Sequence, residues 1–314
     1  MNPKSKIQNP KLLAILGAGA WGTALSTLAS ANGHEVRLWS RRSSITLAQV
    51  VKDADIILSA ISMKGVQAVA EELKSIPLAF ESIFVTATKG LDPQTTSTPS
   101  QIWQAGFPHH PVVVLSGPNL SKEIQQQLPA ATAVASNDPW AAEVVQDVFN
   151  SSRFRVYTNS DALGVELGGT LKNVIAIAAG VCDGLHLGTN AKAALVTRGL
   201  TEMVRVGNSW GAKTETFYGL SGLGDLLATC NSPLSRNYQV GYQLAQGKTL
   251  PEIISHLEGT AEGVNTTQVL MQRAEQHNIY VPITEQVYRL LQGEITAKQA
   301  LDELMLRDTK PEYH

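Results

Sequence analysis

The sequence predicts two domains of different class: an open, doubly wound α/β sheet domain over residues 1–161, followed by a mostly α-helical domain over residues 162–314. Three observations carry this. A length of 314 residues favours two domains over one. As far as about Asp161, short apolar β-rich runs alternate with helical patches, which is the rhythm of parallel βαβ units. Beyond Asp161 the β signal stops, and long Ala/Leu/Val-rich stretches take over.

The runs of the first half are LLAIL, EVRLW, ADIILSAI, SIFVTAT, PVVVLSG, ATAVAS and FRVYT, in that order. Most are apolar at nearly every position, as expected of strands covered by helices on both faces. TALSTLASANG reads as the helix after the first strand. The second half begins with ALGVELGGTLKNVIAIAAGVCDGL and ends with TEQVYRLLQGEITAKQALDELMLR, both helical by propensity and length. Two glycine-rich places interrupt it, GLSGLGDL around Gly222 and HLEGTAEGV around Gly263. The opening MNPKSKIQNPK reads as a short, loose, basic tail, because the apolar run behind it is broken at once by Gly17, Gly19 and Gly22, which suits no signal peptide.

A net charge of −2, from 25 basic and 27 acidic residues, gives no global attraction to nucleic acid or to an anionic membrane. No window approaches the roughly 18 to 20 uninterrupted apolar residues of a membrane span. Cys182 and Cys230 stand far apart, in neither a CxxC nor a Cys/His pattern, so a disulfide framework and a zinc site are not expected. A soluble protein in a reducing, cytoplasmic setting is the expectation, with a small molecule as partner and no metal.

Chemistry enters at Gly17, Gly19 and Gly22. They match G-x-G-x-x-G, between a five-residue apolar strand and a helix, and this context makes the motif a dinucleotide-binding turn of Rossmann type. Glycines there allow the tight turn, the approach of a pyrophosphate to bare backbone, and close helix–strand packing. Trp21 beside them is either a core aromatic or a wall of the nucleotide cleft. The second strand ends in Ser40-Arg41-Arg42, where an NAD-preferring fold usually places an acid. Two guanidiniums there suit a 2′-phosphate, and equally suit a solvated surface. Two further strands end in Thr88-Lys89-Gly90 and Ser116-Gly117-Pro118-Asn119, and in doubly wound sheets such ends face the ligand crevice. Lys89 is therefore a candidate substrate contact.

In the second half, Lys172 lies in GGTLKNVIAIAAG, among small and apolar residues; a lysine so placed must find partners or shift its pKa, and desolvated lysines recur as acid/base groups. Asp225 follows in GLSGLGDL. Ser235, Arg236 and Asn237 open an amphipathic stretch, where a hydroxyl, a guanidinium and an amide at a helix N-terminus make a phosphate clamp. Ser235 serves equally well as a plain N-cap.

Taken together, GAGAWGTAL, TKGL, SGPN, LKNVIAIAAG, NAKAALVTRG, GLSGLGDLLATC, SRN and AEGV occur in the order found in bacterial-type NAD(P)-dependent glycerol-3-phosphate dehydrogenases, from about Leu12 to Arg289. The chain resembles that family. The resemblance implies reduction of dihydroxyacetone phosphate to sn-glycerol 3-phosphate for phospholipid synthesis, a helical second domain like the C-terminal domain of 6-phosphogluconate dehydrogenase, and a homodimer. It implies that Lys172 is the proton donor and acceptor, with Lys89, Gly117, Asn119, Asp225, Ser235, Arg236 and Asn237 around the substrate. It also implies that Trp21, Arg41, Arg42, Lys89, Ser121, Arg236 and Glu262 line the dinucleotide, together with Gly17, Gly19 and Gly22; Ser121 and Glu262 come from the resemblance alone. NADPH is the expected cofactor, with NADH as the alternative. The family usually has a longer stretch between the second strand's tip and ADIIL, whereas here only Ser43 to Asp53 intervene, too few for a helix plus a strand; a trimmed adenosine side is expected.

Two other readings stand beside this one. A 3-hydroxyacid or 6-phosphogluconate dehydrogenase shares the two-domain plan but spaces its lysine and asparagine as KxxN, whereas Lys172 and Asn173 are adjacent here. A non-catalytic dinucleotide sensor gives no reason for Lys172, Asp225 and the Ser-Arg-Asn cluster to occur together.

Overall fold

The structure is a computed structural model and describes residues 9–257, 259–309 and 311–312. The reading of the first eight residues as a tail lies outside these. By its internal contacts the chain divides into a sheet unit, residues 1–169 with Ala212–Asp225, and a helical unit, Thr170–Gly211 with Leu226–His314.

Among the described residues the sheet unit carries seven strands: β1 Leu12–Leu16, β2 Glu35–Trp39, β3 Ile56–Ser59, β4 Ile83–Thr86, β5 Val112–Ser116, β6 Ala130–Ala135 and β7 Phe154–Asn159. They pair in the order β2-β1-β3-β4-β5-β6-β7. The chain reverses its direction of winding at β1, so the crevice for a ligand opens at the carboxyl ends of β1 and β3. Parallel pairing, expected throughout the sheet, fails at one place. The β5–β6 pair is antiparallel, with Leu115 opposite Val134, while all other neighbours are parallel. Only the five-residue α5, Ser121–Gln125, lies between these strands. The chain does not cross back over the sheet there, so β6 enters from the end at which β5 left.

Alternate residues of each strand feed opposite cores. Leu13, Ile15, Ile56, Leu58, Val85 and Val113 pack under α1, Ala20–Ala31, and α6, Pro139–Phe149. Ala14, Leu16, Ile57 and Phe84 pack under α2, Leu47–Val51, α3, Met63–Leu73, and α4, Pro99–Gly106. This is the two-sided burial that near-continuous apolar strands require. The connection after β2 holds only the single turn α2, opened by a capping box from Thr46 and Gln49, and no strand of its own. The unit is completed by α9, Thr214–Phe217, and a π-helical turn, Leu220–Gly224.

In the helical unit run most of α7, Ala162–Gly184, then α8, Gly188–Ser209, most of α10, Asp225–Cys230, α11, Arg236–Ala245, α12, Leu250–His256, α13, Glu262–His277, α14, Pro282–Leu291, and α15, Ala297–Met305. α7 is apolar and long enough to cross a membrane, yet 94% of its apolar window is buried within the protein, as for a core helix. Within this unit Gly199 of α8 meets Ile175 of α7, and Glu202 of α8 accepts hydrogen bonds from the first N–H groups of α14. Cys182 and Cys230 are both buried and are not joined in a disulfide.

Candidate functional site

The β1–α1 turn is shaped by three glycines that do different things. Gly17 has φ +120°, and a Cβ there would lie 2.5 Å from the Ala60 carbonyl oxygen. A Cβ on Gly22 would lie 1.8 Å from the Gly17 carbonyl oxygen. Both are therefore packed shut. Gly19, the N-cap of α1, faces open space, and a Cβ there would meet nothing within 4 Å. Among the described residues no side chain caps α1, so its first N–H groups point outward without intrahelical partners. This is a cradle for an anionic group at a helix N-terminus, bounded by bare backbone, and it fits the pyrophosphate of a dinucleotide. Trp21 is half-buried and packs against the sheet's core. Arg41 and Arg42 lie in the turn after β2, both exposed, and neither guanidinium has a hydrogen bond or ion pair among the described residues. Ser121 is the first residue of α5 and half-buried.

At the next strand ends the sheet unit gathers Lys89, Gly117, Asn119 and Asp225. Thr88 latches the tip of β4 to that of β3 by donating to the Ile61 carbonyl at 2.9 Å. Lys89 Nζ then donates to Asp225 Oδ2 at 2.5 Å and to the Gly117 carbonyl at 3.4 Å. Asp225 is buried at the first turn of α10, where the helix dipole favours a negative charge. Asn119 Nδ2 donates to Thr132 Oγ1 at 2.9 Å, while its Oδ1 and the nearby strand's Ser116 Oγ are buried without partners among the described residues. α7 comes against this group through Gly169, where a Cβ would lie 2.2 Å from Ser116 Oγ and 3.3 Å from Lys89 Cε.

The helical unit holds the other candidates. Lys172 on α7 is only 7% exposed, and its Nζ donates to Thr229 Oγ1 of α10 at 2.6 Å. Ser235 is the N-cap of α11, its Oγ accepting from the Tyr238 N–H at 3.3 Å; the capping reading of this residue is thus realised, and its hydroxyl proton is left to donate elsewhere. Asn237 Oδ1 accepts from the Gly263 N–H at 2.9 Å, and Gly263 sits so near the Asn173 carbonyl that a Cβ would lie 2.7 Å away. α7, α11 and α13 therefore converge on the Asn173-Asn237-Gly263 contact, next in sequence to Lys172, Arg236 and Glu262. Glu262 is the first residue of α13. Arg236 lies against Gly259, whose φ is +90°.

Sequence reasoning missed Thr229, although it stands one helical turn after Asp225 in DLLATC, the spacing that sets two side chains on one helix face. It also missed Gly169 as the neighbour of Lys89. Among the described residues no three of His, Cys, Asp and Glu are grouped to hold a metal ion.

Comparison with known proteins decides the lineage. The N-terminal family model of NAD-dependent glycerol-3-phosphate dehydrogenase matches residues 12–46 and 44–142, and the C-terminal model of the same family matches residues 161–302. The chain belongs to the NAD-dependent glycerol-3-phosphate dehydrogenase family. It is an oxidoreductase that works with a nicotinamide dinucleotide. The glycerol-3-phosphate dehydrogenase [NAD(P)+] of Trichormus variabilis is 76% identical over 302 residues, 96% of this chain and 98% of that protein. Its counterpart in Acaryochloris marina is 63% identical over 300 residues, 96% of this chain and 97% of that protein. The crystal structure of glycerol-3-phosphate dehydrogenase from Coxiella burnetii superimposes with a TM-score of 0.91 at 35% identity, covering 95% of this chain and 99% of that one. The N-terminal family model is matched in two pieces that meet at residues 44–46, inside the short connection that holds α2.

Proposed function

We propose that the chain reduces dihydroxyacetone phosphate to sn-glycerol 3-phosphate, reversibly, with NAD(P)H as reductant, and so supplies glycerophospholipid synthesis. The observation that carries this reading is Lys172, a buried ammonium held by Thr229, in a chain that belongs to this family along nearly its whole length. The bound reduced nicotinamide supplies the hydride that the carbonyl carbon accepts. Lys172 gives its proton to the alkoxide that develops on the carbonyl oxygen, and takes one back in the reverse direction. Lys89, its charge balanced by Asp225, favours negative charge on the substrate oxygens, with Gly117 and Asn119 beside it. Ser235, Arg236 and Asn237 hold the phosphate, which turns binding energy remote from the carbonyl into positioning.

For the cofactor, Gly17, Gly19, Trp21, Gly22, Lys89, Ser121, Arg236 and Glu262 line the dinucleotide in this reading. Arg41 and Arg42 favour NADPH over NADH, because their exposed guanidiniums, unpaired among the described residues, can take a 2′-phosphate and β2 ends without a carboxylate. Residues 1–161 serve as the dinucleotide-binding domain and 162–314 as the substrate domain, in a cytoplasmic homodimer. The test follows NADPH absorbance with and without dihydroxyacetone phosphate. Oxidation that depends on this substrate supports the reading; none, or oxidation driven instead by a 3-oxoacid or by ribulose 5-phosphate with carbon dioxide, overturns it.

A further inference from the structure

We propose that Glu166 is a positioning residue for Lys89, fastening the segment that carries Lys89 onto the helix that abuts the Lys89 side chain. The inference rests on the reading of Lys89 as a substrate contact. Glu166 lies on α7 and is only 2% exposed. Its Oε1 accepts from the Ser100 N–H at 2.8 Å, and its Oε2 from Ser100 Oγ at 2.5 Å. Ser100 stands in the first turn of α4, two residues after Thr98, the N-cap. Lys89 stands near the start of the stretch that leads from β4 into this turn, three residues after Thr86, the last of the strand. Three residues beyond Glu166 on α7 comes Gly169, where a Cβ would lie 2.2 Å from Ser116 Oγ and 3.3 Å from Lys89 Cε. The contacts close a ring: Lys89, the β4–α4 segment, Ser100, Glu166, one turn of α7, Gly169, and Lys89 again. All of its members belong to the sheet unit.

A buried carboxylate is costly to retain without a cation, and Glu166 makes no ion pair among the described residues. The groups that face it are the Ser100 N–H and the hydroxyls of Ser100 and Thr98; Lys89 and Asp225, further along, pair with each other. Burial pushes its carboxyl up to about 7, and the bonds from Ser100 and Thr98 pull the other way. The ionised form accepts from all of these donors, whereas protonation converts one acceptor into a donor and loosens the ring. Glu202 provides an internal comparison: it is also buried, and accepts from the N–H groups of Ile283 and Thr284 at 2.8 and 2.9 Å, but it serves the start of α14, and among the described residues it bonds no candidate site residue.

The experiment compares the parent, Glu166→Gln and Glu202→Gln by kcat and KM for dihydroxyacetone phosphate at saturating NADPH, across about pH 6 to 8.5. Dividing variant by parent cancels titration of the substrate phosphate. The ratio of parent to Glu166→Gln in kcat/KM is expected near one at the acid end and about tenfold or more at the alkaline end, since misplacement by about 1 Å can cost 10²-fold, with KM carrying most of the change. Glu202→Gln is expected to stay flat. Ser100→Ala, which removes the hydroxyl from the same contact, is expected to raise KM in the same range and keeps the test open if Glu166→Gln does not fold. A flat ratio for Glu166→Gln or an unchanged KM for Ser100→Ala overturns the inference alone, as does the same slope in Glu202→Gln. A parent with no turnover of dihydroxyacetone phosphate overturns the functional reading, and the inference with it.

Discussion

Adding one methyl group at each glycine of the β1–α1 turn separates architecture from binding. In Gly22→Ala the new Cβ would lie 1.8 Å from the Gly17 carbonyl oxygen, so α1 must move away by more than 1 Å. Overpacking of this kind costs about 1–3 kcal/mol, which lowers Tm by roughly 2–12 °C for a domain of this size. In Gly19→Ala the same methyl meets nothing within 4 Å. Alanine is the poorer N-cap, but it also orders the unfolded chain, and these effects of up to about 1 kcal/mol oppose each other. Stability is therefore expected to stay within about 1 kcal/mol of the parent. The methyl instead occupies the space over the α1 N–H groups, and loss of one charge-assisted contact there, about 1.5–3 kcal/mol, weakens NADPH by roughly ten- to a hundredfold. Thermal unfolding and a fluorescence titration with NADPH read the two effects separately. The reasoning fails if Gly19→Ala binds NADPH as the parent does, or if Gly22→Ala melts with the parent.

Asp225→Asn removes the charge that balances Lys89 at 2.5 Å and is expected to lower kcat/KM for dihydroxyacetone phosphate at least tenfold while NADPH binding changes little; equal losses in both would contradict the pairing. Arg41→Ala/Arg42→Ala is expected to bring the NADPH and NADH values of kcat/KM together from a roughly ten- to hundredfold preference, and a parent that prefers NADH would refute the 2′-phosphate reading. Because the folded pKa of Glu166, about 7, lies above the ordinary carboxylate value of 4.5, the native state holds that proton more tightly than the unfolded chain. Its contribution to stability accordingly falls as pH rises from about 4.5 through 7. Glu166→Gln is expected to flatten the urea-unfolding free energy across that interval, and an unchanged pH slope would show that the carboxyl does not titrate there.

The strands were legible because apolar runs buried on both faces leave little ambiguity, and the opening turn because its glycines sit between a strand and a helix. Lys172 stood out in the sequence because a lysine inside an apolar helix needs a partner, and the structure buries it against Thr229. The antiparallel β6 was not legible: its own residues look like those of a parallel strand, and its direction is set by where the chain goes between Gly117 and Pro129. Nor did the sequence reveal that Ala212–Asp225, embedded in a helical stretch, packs with the sheet unit and brings Asp225 to Lys89. Thr229 and Glu166 passed unnoticed for a related reason. A threonine or a glutamate is ordinary in a helix, and only the fold shows that one meets Lys172 and the other is buried with no ion pair among the described residues.

The central claim is that Lys172 protonates the oxygen of a carbonyl reduced by NAD(P)H. Stopped-flow single turnovers of the enzyme with NADPH and dihydroxyacetone phosphate, in the parent and in Lys172→Ala, test it most directly. The account predicts substrate-dependent NADPH oxidation in the parent, and a fall in the single-turnover rate of about 10²- to 10⁴-fold in the variant with NADPH affinity nearly unchanged. A folded Lys172→Ala protein that oxidises NADPH at the parent's rate would contradict it.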